Sequence, residues 1–355
     1  MTVLMLSRDP QVLVPGTEPA QRIASYHQLV DTLRVLVFDP LRGGRWPALI
    51  SLWRGGKQVL SGVEGPLLIT AQDPFEIGLV GYLLARRVHG VLELQVHTDI
   101  CSPYFARESW KNWLRVRLAQ FLLPRAQGVR VVSNRIRDSL VREHLVLAER
   151  IIVLPVFVDY TQFNAPRKEH PGEQFTFLVI SRLTREKNIS LALDAFAHVR
   201  DSTPSARLII VGDGPEHARL QEQVRALGVK DSVILEGQKK NVADYYAMAD
   251  CYLLSSNYEG YARTVVEALA SGLPVIMTDV GIAGEVVQHE VNGLVVGVGD
   301  EGAFASAMVR VCVDDGLRAR LTGNTRASVS ILPGEEEYLA RYKHMWESRL
   351  SYGIR

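Results

Sequence analysis

The chain has 355 residues, of which 47% are apolar and 22% are charged, and its net charge is +1. This composition excludes a disordered chain, because it can bury enough apolar surface to offset the entropy lost on folding. The balanced charge argues against a nucleic-acid-binding protein, and at roughly 150 residues per domain the length predicts two domains.

The sequence gives no sign of export or of a membrane anchor. "MTVLMLSRDP" lacks a basic region followed by a long apolar one, so we expect no signal peptide. The longest nearly uncharged apolar stretch, "IGLVGYLLA", is far shorter than the about 18 residues of a membrane span. Cys101, Cys251 and Cys312 are too widely spaced to suggest a disulfide framework or a zinc site. We therefore expect a cytoplasmic protein.

Short apolar runs alternate with amphipathic segments along the first half. Helices are predicted between the runs, for example over 18–33 and 75–88. Continuous apolar runs are typical of parallel strands that are covered on both faces. The predicted strands are "TVLMLS", "RVLVFD", "LLITAQ", "LELQVH", "GVRVVS" and "IIVLP".

The pattern stops at "APRKEHPGEQ", whose prolines, glycine and charged side chains predict a linker at 165–174. It then resumes with "FTFLVIS", "ARLIIVG", "SVILEG", "CYLLSS", "PVIMT" and "GLVVGV". Two series of β-α units predict an α/β protein with two Rossmann-like doubly wound domains facing a central cleft. We place these domains at 1–164 and 175–334, and expect a terminal helix at 335–355 to pack back toward the first.

Two short motifs in the second half suit a phosphorylated ligand. "LVISRLTREKN" puts Arg182 and Lys187 in the connection after a predicted strand, where a guanidinium fork and an ammonium group suit a diphosphate. On its own, this motif is equally consistent with a solvated loop. "LIIVGDGPE" places Gly212 and Gly214 after the next strand, where glycine permits a sharp turn or a close backbone approach to a ligand.

The third motif, "SSNYEGYARTVVEALASGLPV", is the strongest. Glu259 precedes Gly260, a helix is expected to begin near Ala262, and Glu267 then lies a little over one turn inside it. A helix N-terminus offers free N–H groups and a positive dipole to a phosphate. Two carboxylates can accept hydrogen bonds from a ribose diol and a sugar diol, which is the layout of a sugar nucleotide.

Together, "SRLTREKN", "VGDGP" and "NYEGYARTVVEALASGLPVI" resemble the donor-site motifs of the retaining glycosyltransferase family 4, or group 1, in order and spacing. "IIVLPVFVDYTQF" resembles the family's lead-in to its linker, with Phe157 and Val158 where Asn-Gly is usual. The resemblance implies the GT-B fold, with an acceptor-binding first half and a donor-binding second half.

The resemblance also implies a role for each matching residue. Arg182 and Lys187 neutralise the leaving diphosphate, Glu259 contacts the donor sugar, and Glu267 binds the ribose. Further candidates for substrate binding lie in the same motifs and in the loop after "VILEG", near the base: Gly260, Tyr261, Ala262, Arg263, Thr264, Gly212 and Gln238.

The first half offers two weaker candidates. His97 in "LQVHTD" matches a family histidine near the sugar and the acceptor, and we count it among the catalytic residues. Its plainer interpretation is a core or capping histidine. The loop "VPGTEPAQR" holds one glycine, Gly16, where the family often has two, and Gly16 is our candidate for a donor contact there.

We therefore predict a retaining transfer of a sugar from a UDP- or GDP-linked donor to a hydroxyl acceptor, in the synthesis of envelope polysaccharide or glycolipid. The acceptor is a glycan, a lipid-linked molecule or a small molecule. We expect no cofactor and no required metal, because Arg182, Lys187 and the helix N-terminus can supply the positive charge. The alternatives are another GT-B enzyme, such as a sugar-nucleotide epimerase or a phosphorylase, and a non-catalytic subunit that binds nucleotide sugars.

Residues 101–137 carry eight Lys or Arg residues and one acid, Glu108. Such a basic helix can lie on an anionic membrane, here through 105–125. The other interpretation, which is our expectation, is a domain helix whose apolar stripe packs into the core. A nucleic-acid motif is lacking. The stripe consists of Trp110, Trp113, Leu114, Leu118 and Phe121.

Overall fold

The computed structural model describes residues 1–41, 44–163 and 174–353. It divides the chain into two compact units, one made of Met1–Phe157 and Pro333–Arg355 and the other of Val158–Leu332. Of the predicted linker, residues 165–173 lie outside the described ranges. No helix of the described residues is long and apolar enough to cross a membrane.

The first unit contains a six-stranded sheet in the order β2-β1-β3-β4-β5-β6, and every pair of neighbours is parallel. Its central strands are buried on both faces, as their continuous apolar sequences predict. The strands are β1 Thr2–Ser7, β2 Thr32–Val37, β3 Leu67–Ala71, β4 Val91–Val96, β5 Gly128–Val131 and β6 Ile151–Val153.

Among the described residues of this unit there are seven α-helices. One core cluster joins α1 and α13, through Tyr26 and the fully buried Trp346, to Val3, Met5 and Leu68 of the sheet. The helices are α1 Glu18–His27, α2 Arg45–Val59, α3 Glu76–Val88, α4 Pro103–Glu108, α5 Trp110–Leu122, α6 Asn134–Arg142 and α13 Glu335–Gly353.

The second unit contains another parallel six-stranded sheet, in the order β12-β11-β10-β7-β8-β9. Its strands are β7 Thr176–Ile180, β8 Arg207–Val211, β9 Val233–Gly237, β10 Cys251–Leu254, β11 Val275–Thr278 and β12 Gly293–Val296. Its helices are α7 Ile189–Ser202, α8 His217–Ala226, α9 Ala243–Met248, α10 Arg263–Ala270, α11 Glu301–Val313 and α12 Asp315–Ser330.

The predicted fold class, α/β with two doubly wound parallel sheets, is confirmed, and each predicted strand overlaps an observed one. The helix predicted over 18–33 is too long, since α1 ends at His27 and β2 begins at Thr32. The end of the helix was predicted too late because Leu29 and Leu33 continue the helical spacing of apolar residues, although they flank a turn.

The expectation that the apolar stripe of 101–137 packs into the core is wrong. Helix α5 buries Asn112, Ala119 and Leu122 instead. Trp110 is 70% exposed and Trp113 is 50% exposed, and Leu114 and Phe121 are also exposed. Helix α5 packs on α3, and the residues that α5 buries are not those of the predicted stripe.

Arg130 also departs from the sequence-based description of a basic surface. It lies on β5 and is 3% exposed, so its charge belongs to the interior of the first unit. The apolar residues on either side of it in "GVRVV" indicate a buried strand. The sequence does not show which groups hydrogen-bond to a buried arginine in the middle of that strand.

Candidate active site

The strand order of the second unit reverses between β7 and β10, which are neighbours in the sheet although three helices separate them in sequence. In open α/β sheets ligands bind at such a switch point, beyond the carboxyl ends of the strands. The loop after β7 carries Arg182 and Lys187, and the loop after β10 carries Glu259. The predicted donor residues therefore share one edge of one sheet.

Lys187 and Glu259 form a direct ion pair. The distance from Nζ to Oε1 is 2.5 Å, and the side chains are 18% and 10% exposed. Ser256 Oγ donates to the same carboxylate oxygen at 2.7 Å. A charged pair this far out of water is stronger than a surface pair, because solvent screens it less. The cation and the carboxylate are thus held in fixed positions.

Further hydrogen bonds join the two loops on either side of that pair. Ser255 Oγ donates to the Lys187 carbonyl at 3.0 Å, and Asn257 N donates to the Glu186 carbonyl at 2.7 Å. Asn188 Nδ2 donates to Asn257 Oδ1 at 3.1 Å. Asn188 adopts a left-handed conformation with φ of 43° just before α7, which asparagine tolerates better than most residues.

Arg182 is held much more loosely. Its side chain is 75% exposed, and its guanidinium pairs with Glu186 at 3.1 Å. Exposed pairs of this kind contribute about 0–1 kcal/mol and restrain the side chain little. Arg182 therefore stands beside the Lys187–Glu259 pair as a cation that can turn toward a ligand.

The two glycines of "VGDGP" lie so close to the neighbouring backbone that a side chain there would clash. A Cβ atom on Gly212 would lie 1.8 Å from the Ser181 carbonyl oxygen, and one on Gly214 would lie 2.4 Å from that of Leu183. Leu183 N donates to the Asp213 carbonyl at 3.0 Å, so the loops after β7 and β8 touch along their backbones. Gly212 is thereby placed against the neighbouring loop.

Gln238 follows β9, whose last residue, Gly237, accepts a hydrogen bond at 2.9 Å from Gly212 N. Its side chain is exposed at the same edge of the sheet. Beside it, Lys239 pairs with Glu236 at 2.8 Å. The structure thus brings Gln238 to the predicted edge, one strand farther out than Gly212.

Helix α10 begins at Arg263, as predicted, and Ala262 precedes it in a left-handed conformation with φ of 70°. The Ala262 side chain does not cap the helix, which follows β10 and so begins at the carboxyl edge of the sheet. Gly260, Tyr261 and Ala262, which are candidates for substrate binding, are buried immediately before this helix.

Glu267 is the fifth residue of α10 and is partly buried. Tyr246, which is fully buried on α9, donates from its hydroxyl to Glu267 Oε2 at 2.9 Å. Burial and the nearby charge of Glu267 raise the pKa of Tyr246 well above its ordinary value, so its hydroxyl stays a donor. Thr264 Oγ1 accepts from Tyr252 at 2.7 Å, which fixes the first turn of the helix.

Sequence reasoning missed Tyr246 and also Gly281. A Cβ atom on Gly281 would lie 3.0 Å from Glu259 Cβ, and the glycine has φ of +55°. The loop after β11 therefore closes on the site loop through a residue without a side chain. Neither residue lies in a motif, and only the pairing of β10 with β11 brings Gly281 close.

In the first unit, His97 follows β4 and is partly buried. Its Nε2 lies 3.1 Å from Gln95 Oε1. Burial, Arg130 and Arg22 lower the pKa of His97 to about 3, so the ring is neutral near pH 7. Gly16 lies in the turn before α1 with φ of +83°, and a Cβ atom there would meet no atom within 4 Å.

Gln95, which contacts His97, belongs to a buried hydrogen-bond network that the sequence did not predict. Gln95 Oε1 also accepts from Arg130 Nη1 at 2.9 Å, and Gln95 Nε2 donates to Tyr342 of α13 at 3.0 Å. Arg130 further donates to the Leu154 carbonyl at 3.1 Å and to Tyr338 at 3.2 Å. These contacts tie β4, β5, the end of β6 and the terminal helix together.

Comparison with protein-family models gives two matches. The model described as glycosyl transferases group 1 matches residues 161–328. The model described as glycosyl transferase 4-like domain matches residues 6–156.

Two curated relatives are 32% identical to the chain. The N-acetyl-alpha-D-glucosaminyl L-malate synthase of Bacillus anthracis matches over 167 residues, which are 47% of this chain and 44% of that protein. The alpha-monoglucosyldiacylglycerol synthase of Streptococcus pneumoniae matches over 228 residues, which are 59% of this chain and 51% of that protein. The chain thus spans about half the length of these relatives.

Two solved structures are similar over nearly the whole chain. HepE of Anabaena in complex with UDP has a TM-score of 0.74 at 21% identity, covering 98% of this chain and 100% of that one. The sucrose-phosphate synthase of Thermosynechococcus elongatus has a TM-score of 0.81 at 20% identity, covering 99% of each chain. At these identities the similarity is one of fold.

Proposed function

Because the chain belongs to the group 1 glycosyltransferases of family 4 and has their GT-B fold, we propose that it moves a sugar from a nucleotide-diphosphate sugar to a hydroxyl acceptor with retention. The observation that carries this proposal is the Lys187–Glu259 pair at the switch point of the second sheet. The ammonium group of Lys187 and the carboxylate of Glu259, which we propose binds the donor sugar, lie 2.5 Å apart at the edge where open α/β sheets bind ligands.

In this proposal the diphosphate of the donor lies at Lys187, Arg182 and the first turn of α10. The incoming phosphate competes with Glu259 for the ammonium group of Lys187, and the freed carboxylate accepts hydrogen bonds from the donor sugar. Arg182 turns from Glu186 to the phosphate, because its exposed pair restrains it little. Glu267, oriented by Tyr246, accepts from the ribose hydroxyls.

The bond between the anomeric carbon and the phosphate oxygen breaks through an oxocarbenium-like state, the acceptor oxygen bonds to that carbon, and the proton of the acceptor hydroxyl leaves with the diphosphate. Negative charge grows on the leaving diphosphate, where Lys187, Arg182 and the N–H groups of α10 stabilise it. The first turn of α10 is in place before the donor binds, and Lys187 and Arg182 exchange their carboxylate partners for the phosphate on binding, before the bond breaks. The proposal requires no metal and no cofactor, and an α-linked donor gives an α-linked product.

His97 acts here as a neutral hydrogen-bonding group. Its pKa of about 3 leaves it uncharged near pH 7, and a ring of such low basicity accepts a proton poorly. If Nε2 carries the hydrogen that Gln95 Oε1 accepts, Nδ1 is left as an acceptor for a sugar or acceptor hydroxyl. The role proposed for His97 is therefore one of orientation.

The donor base and the acceptor are proposed by class. UDP or GDP is the proposed leaving group, and the UDP bound to the Anabaena structure supports UDP. The acceptor is a glycan, a lipid-linked molecule or a small molecule, and the glycolipid in the name of the S. pneumoniae relative supports a lipid-linked acceptor. The proposed location is the cytoplasm.

The test is release of nucleoside diphosphate from a panel of UDP- and GDP-sugars, with and without candidate acceptors. A glycosyltransferase gives acceptor-dependent release and an α-linked product. Conversion of the sugar nucleotide without any acceptor would identify an epimerase instead, and binding without turnover would identify a non-catalytic subunit. Lys187→Ala must lose the release, whereas Lys230→Ala, which changes an exposed lysine of the same unit, must keep it.

A further inference from the structure

Three helices of the first unit, α2, α3 and α5, pack side by side. Helices α2 and α3 each follow a strand of the parallel sheet directly and so begin at its carboxyl edge, and α5 follows the short helix α4 after β4. Large apolar side chains point from these helices into solvent. Trp46 is 78% exposed, Trp110 70%, Trp113 50% and Leu114 47%. Single exposed apolar residues are ordinary, but three tryptophans on neighbouring helices indicate an interaction surface.

The same helices carry a strong excess of positive charge. Their sequences contain eight Lys or Arg residues and one acid, Glu76. Glu76 is already paired with Arg8, Arg45 and Arg115. We call this surface the aromatic-basic face. It consists of Trp46, Trp110, Trp113, Leu114 and Phe121 together with Arg45, Arg54, Lys57, Arg86, Arg87, Lys111, Arg115 and Arg117.

Ion pairs and ring contacts show that the face is continuous. Arg45 on α2 and Arg115 on α5 both contact the Glu76 carboxylate at the start of α3. Trp46 follows Arg45 in the chain, and Leu114 precedes Arg115. Tyr82 of α3 and Phe121 of α5 touch edge to face, with ring centroids 6.0 Å apart. The apolar and basic groups of the three helices therefore form one continuous surface.

Cations lie over several of the exposed rings. Lys111 Nζ is 5.9 Å from the centre of the Trp110 ring, and the Arg117 guanidinium is 5.3 Å from that of Trp113. Tryptophan and a basic side chain at one depth are the usual pair at a lipid interface, where the ring lies among headgroups and the cation meets phosphate. In a buried protein interface without acidic side chains, these cations would lose water and gain no counter-charge.

We propose that the aromatic-basic face binds the surface of an anionic lipid bilayer. A second copy of the chain fits poorly, because a two-fold contact through this face would bring two surfaces with the same excess of positive charge together. The surface is wider than 105–125, since α2 contributes Trp46 and three cations. The binding does not depend on the glycosyl transfer proposed above.

The experiment is flotation of the full chain with vesicles, without donor or acceptor. Vesicles of phosphatidylcholine with 30% phosphatidylglycerol are compared with pure phosphatidylcholine, at low and at high salt. We expect binding to the anionic vesicles only, and loss of binding at high salt because the charge attraction is screened. Vesicles with brominated acyl chains must quench tryptophan fluorescence when the protein binds.

Two double variants separate the two parts of the face. Trp110→Ser with Trp113→Ser, and Lys111→Glu with Arg117→Glu, should each lower the vesicle partition coefficient by at least about tenfold. The matched controls are Leu147→Ser with Ile331→Ser, and Arg225→Glu with Lys230→Glu, which change exposed residues elsewhere and should bind as the wild type does. Thermal unfolding of every variant checks that it is folded.

Three results would overturn the proposal. One is the absence of flotation with anionic vesicles at low salt. The second is equal flotation of the face variants and their controls. The third is a concentration-dependent dimer, seen by sedimentation without lipid, that the Trp110→Ser/Trp113→Ser variant abolishes. That third result would assign the face to a second copy of the chain.

Discussion

The two units place their candidate residues in different ways. In the second unit, Lys187, Glu259 and their neighbours lie in loops that hydrogen-bond directly to one another. In the first unit, His97 contacts Gln95, which is hydrogen-bonded to Tyr342 of the terminal helix. The candidate residues of the second unit thus depend on short local motifs, and His97 of the first unit depends on contacts between residues more than 200 positions apart, such as Arg130 and Tyr342.

The largest effect should come from the second unit. We expect Lys187→Ala and Glu259→Ala each to lower the transfer rate by at least about 10³-fold, the range for loss of a preorganised electrostatic group. Steady-state kinetics with a saturating acceptor measures this. Lys230→Ala and Glu222→Ala, on exposed positions, are the controls. Near-normal turnover of either site variant, in a folded protein, would remove the residue from the mechanism.

The first unit should respond in stability. Arg130→Met leaves the Leu154 carbonyl and Gln95 without a buried charged donor, so we expect the free energy of unfolding to fall by about 3 kcal/mol. All five tryptophans lie in this unit, so tryptophan fluorescence in urea reports on it alone. Arg137→Met, at an exposed position, is the control. Equal stability of the two variants would mean that the network does not hold the unit together.

A smaller effect should separate positioning from folding in the second unit. Tyr246→Phe removes the hydrogen bond to Glu267, and we expect about a tenfold rise in the donor KM with little change in kcat. The corresponding 2′-deoxyribonucleotide provides the control, since it lacks one of the hydroxyls that Glu267 is proposed to bind. If Tyr246→Phe weakens both nucleotides equally, Tyr246 does not act through the ribose.

The smallest effect is a pH dependence in the first unit. His97 has a folded pKa of about 3 against an ordinary value of 6.5, so between these values the unfolded chain binds a proton that the folded chain does not. Stability should therefore fall as the pH is lowered through this window, by up to about 1.4 kcal/mol per pH unit. His97→Gln keeps a neutral polar side chain and removes this component.

The measurement is the difference in unfolding free energy between the wild type and His97→Gln at pH 7 and pH 5. Burial raises the pKa values of Glu93 and Asp99, but these groups are common to both proteins, so their contributions cancel in the difference. A difference that does not change with pH would show that His97 is solvated and titrates normally.

These contrasts explain what the sequence could and could not predict. The strands could be predicted because continuous apolar runs such as "TVLMLS" are typical of buried parallel strands. Helix α10 could be predicted from Gly260 and the apolar run after it. Tyr246 and Arg130 were not, because a tyrosine in an apolar segment and an arginine in a strand acquire their roles only through distant partners. The exposure of Trp110 and Trp113 was also hidden, since helical spacing shows which residues share a side but not which side is buried.

The most direct test of the proposed donor site is equilibrium binding of UDP, GDP and ADP to the wild type, Lys187→Ala and Lys230→Ala. One of the three nucleotides should bind the wild type and stabilise it against thermal unfolding. Lys230→Ala should bind it equally, whereas Lys187→Ala should lose at least about tenfold in affinity, as expected for a charged contact to phosphate. Equal affinity of all three proteins, or no binding of any nucleoside diphosphate, would contradict the assignment of the donor site to the switch point of the second sheet.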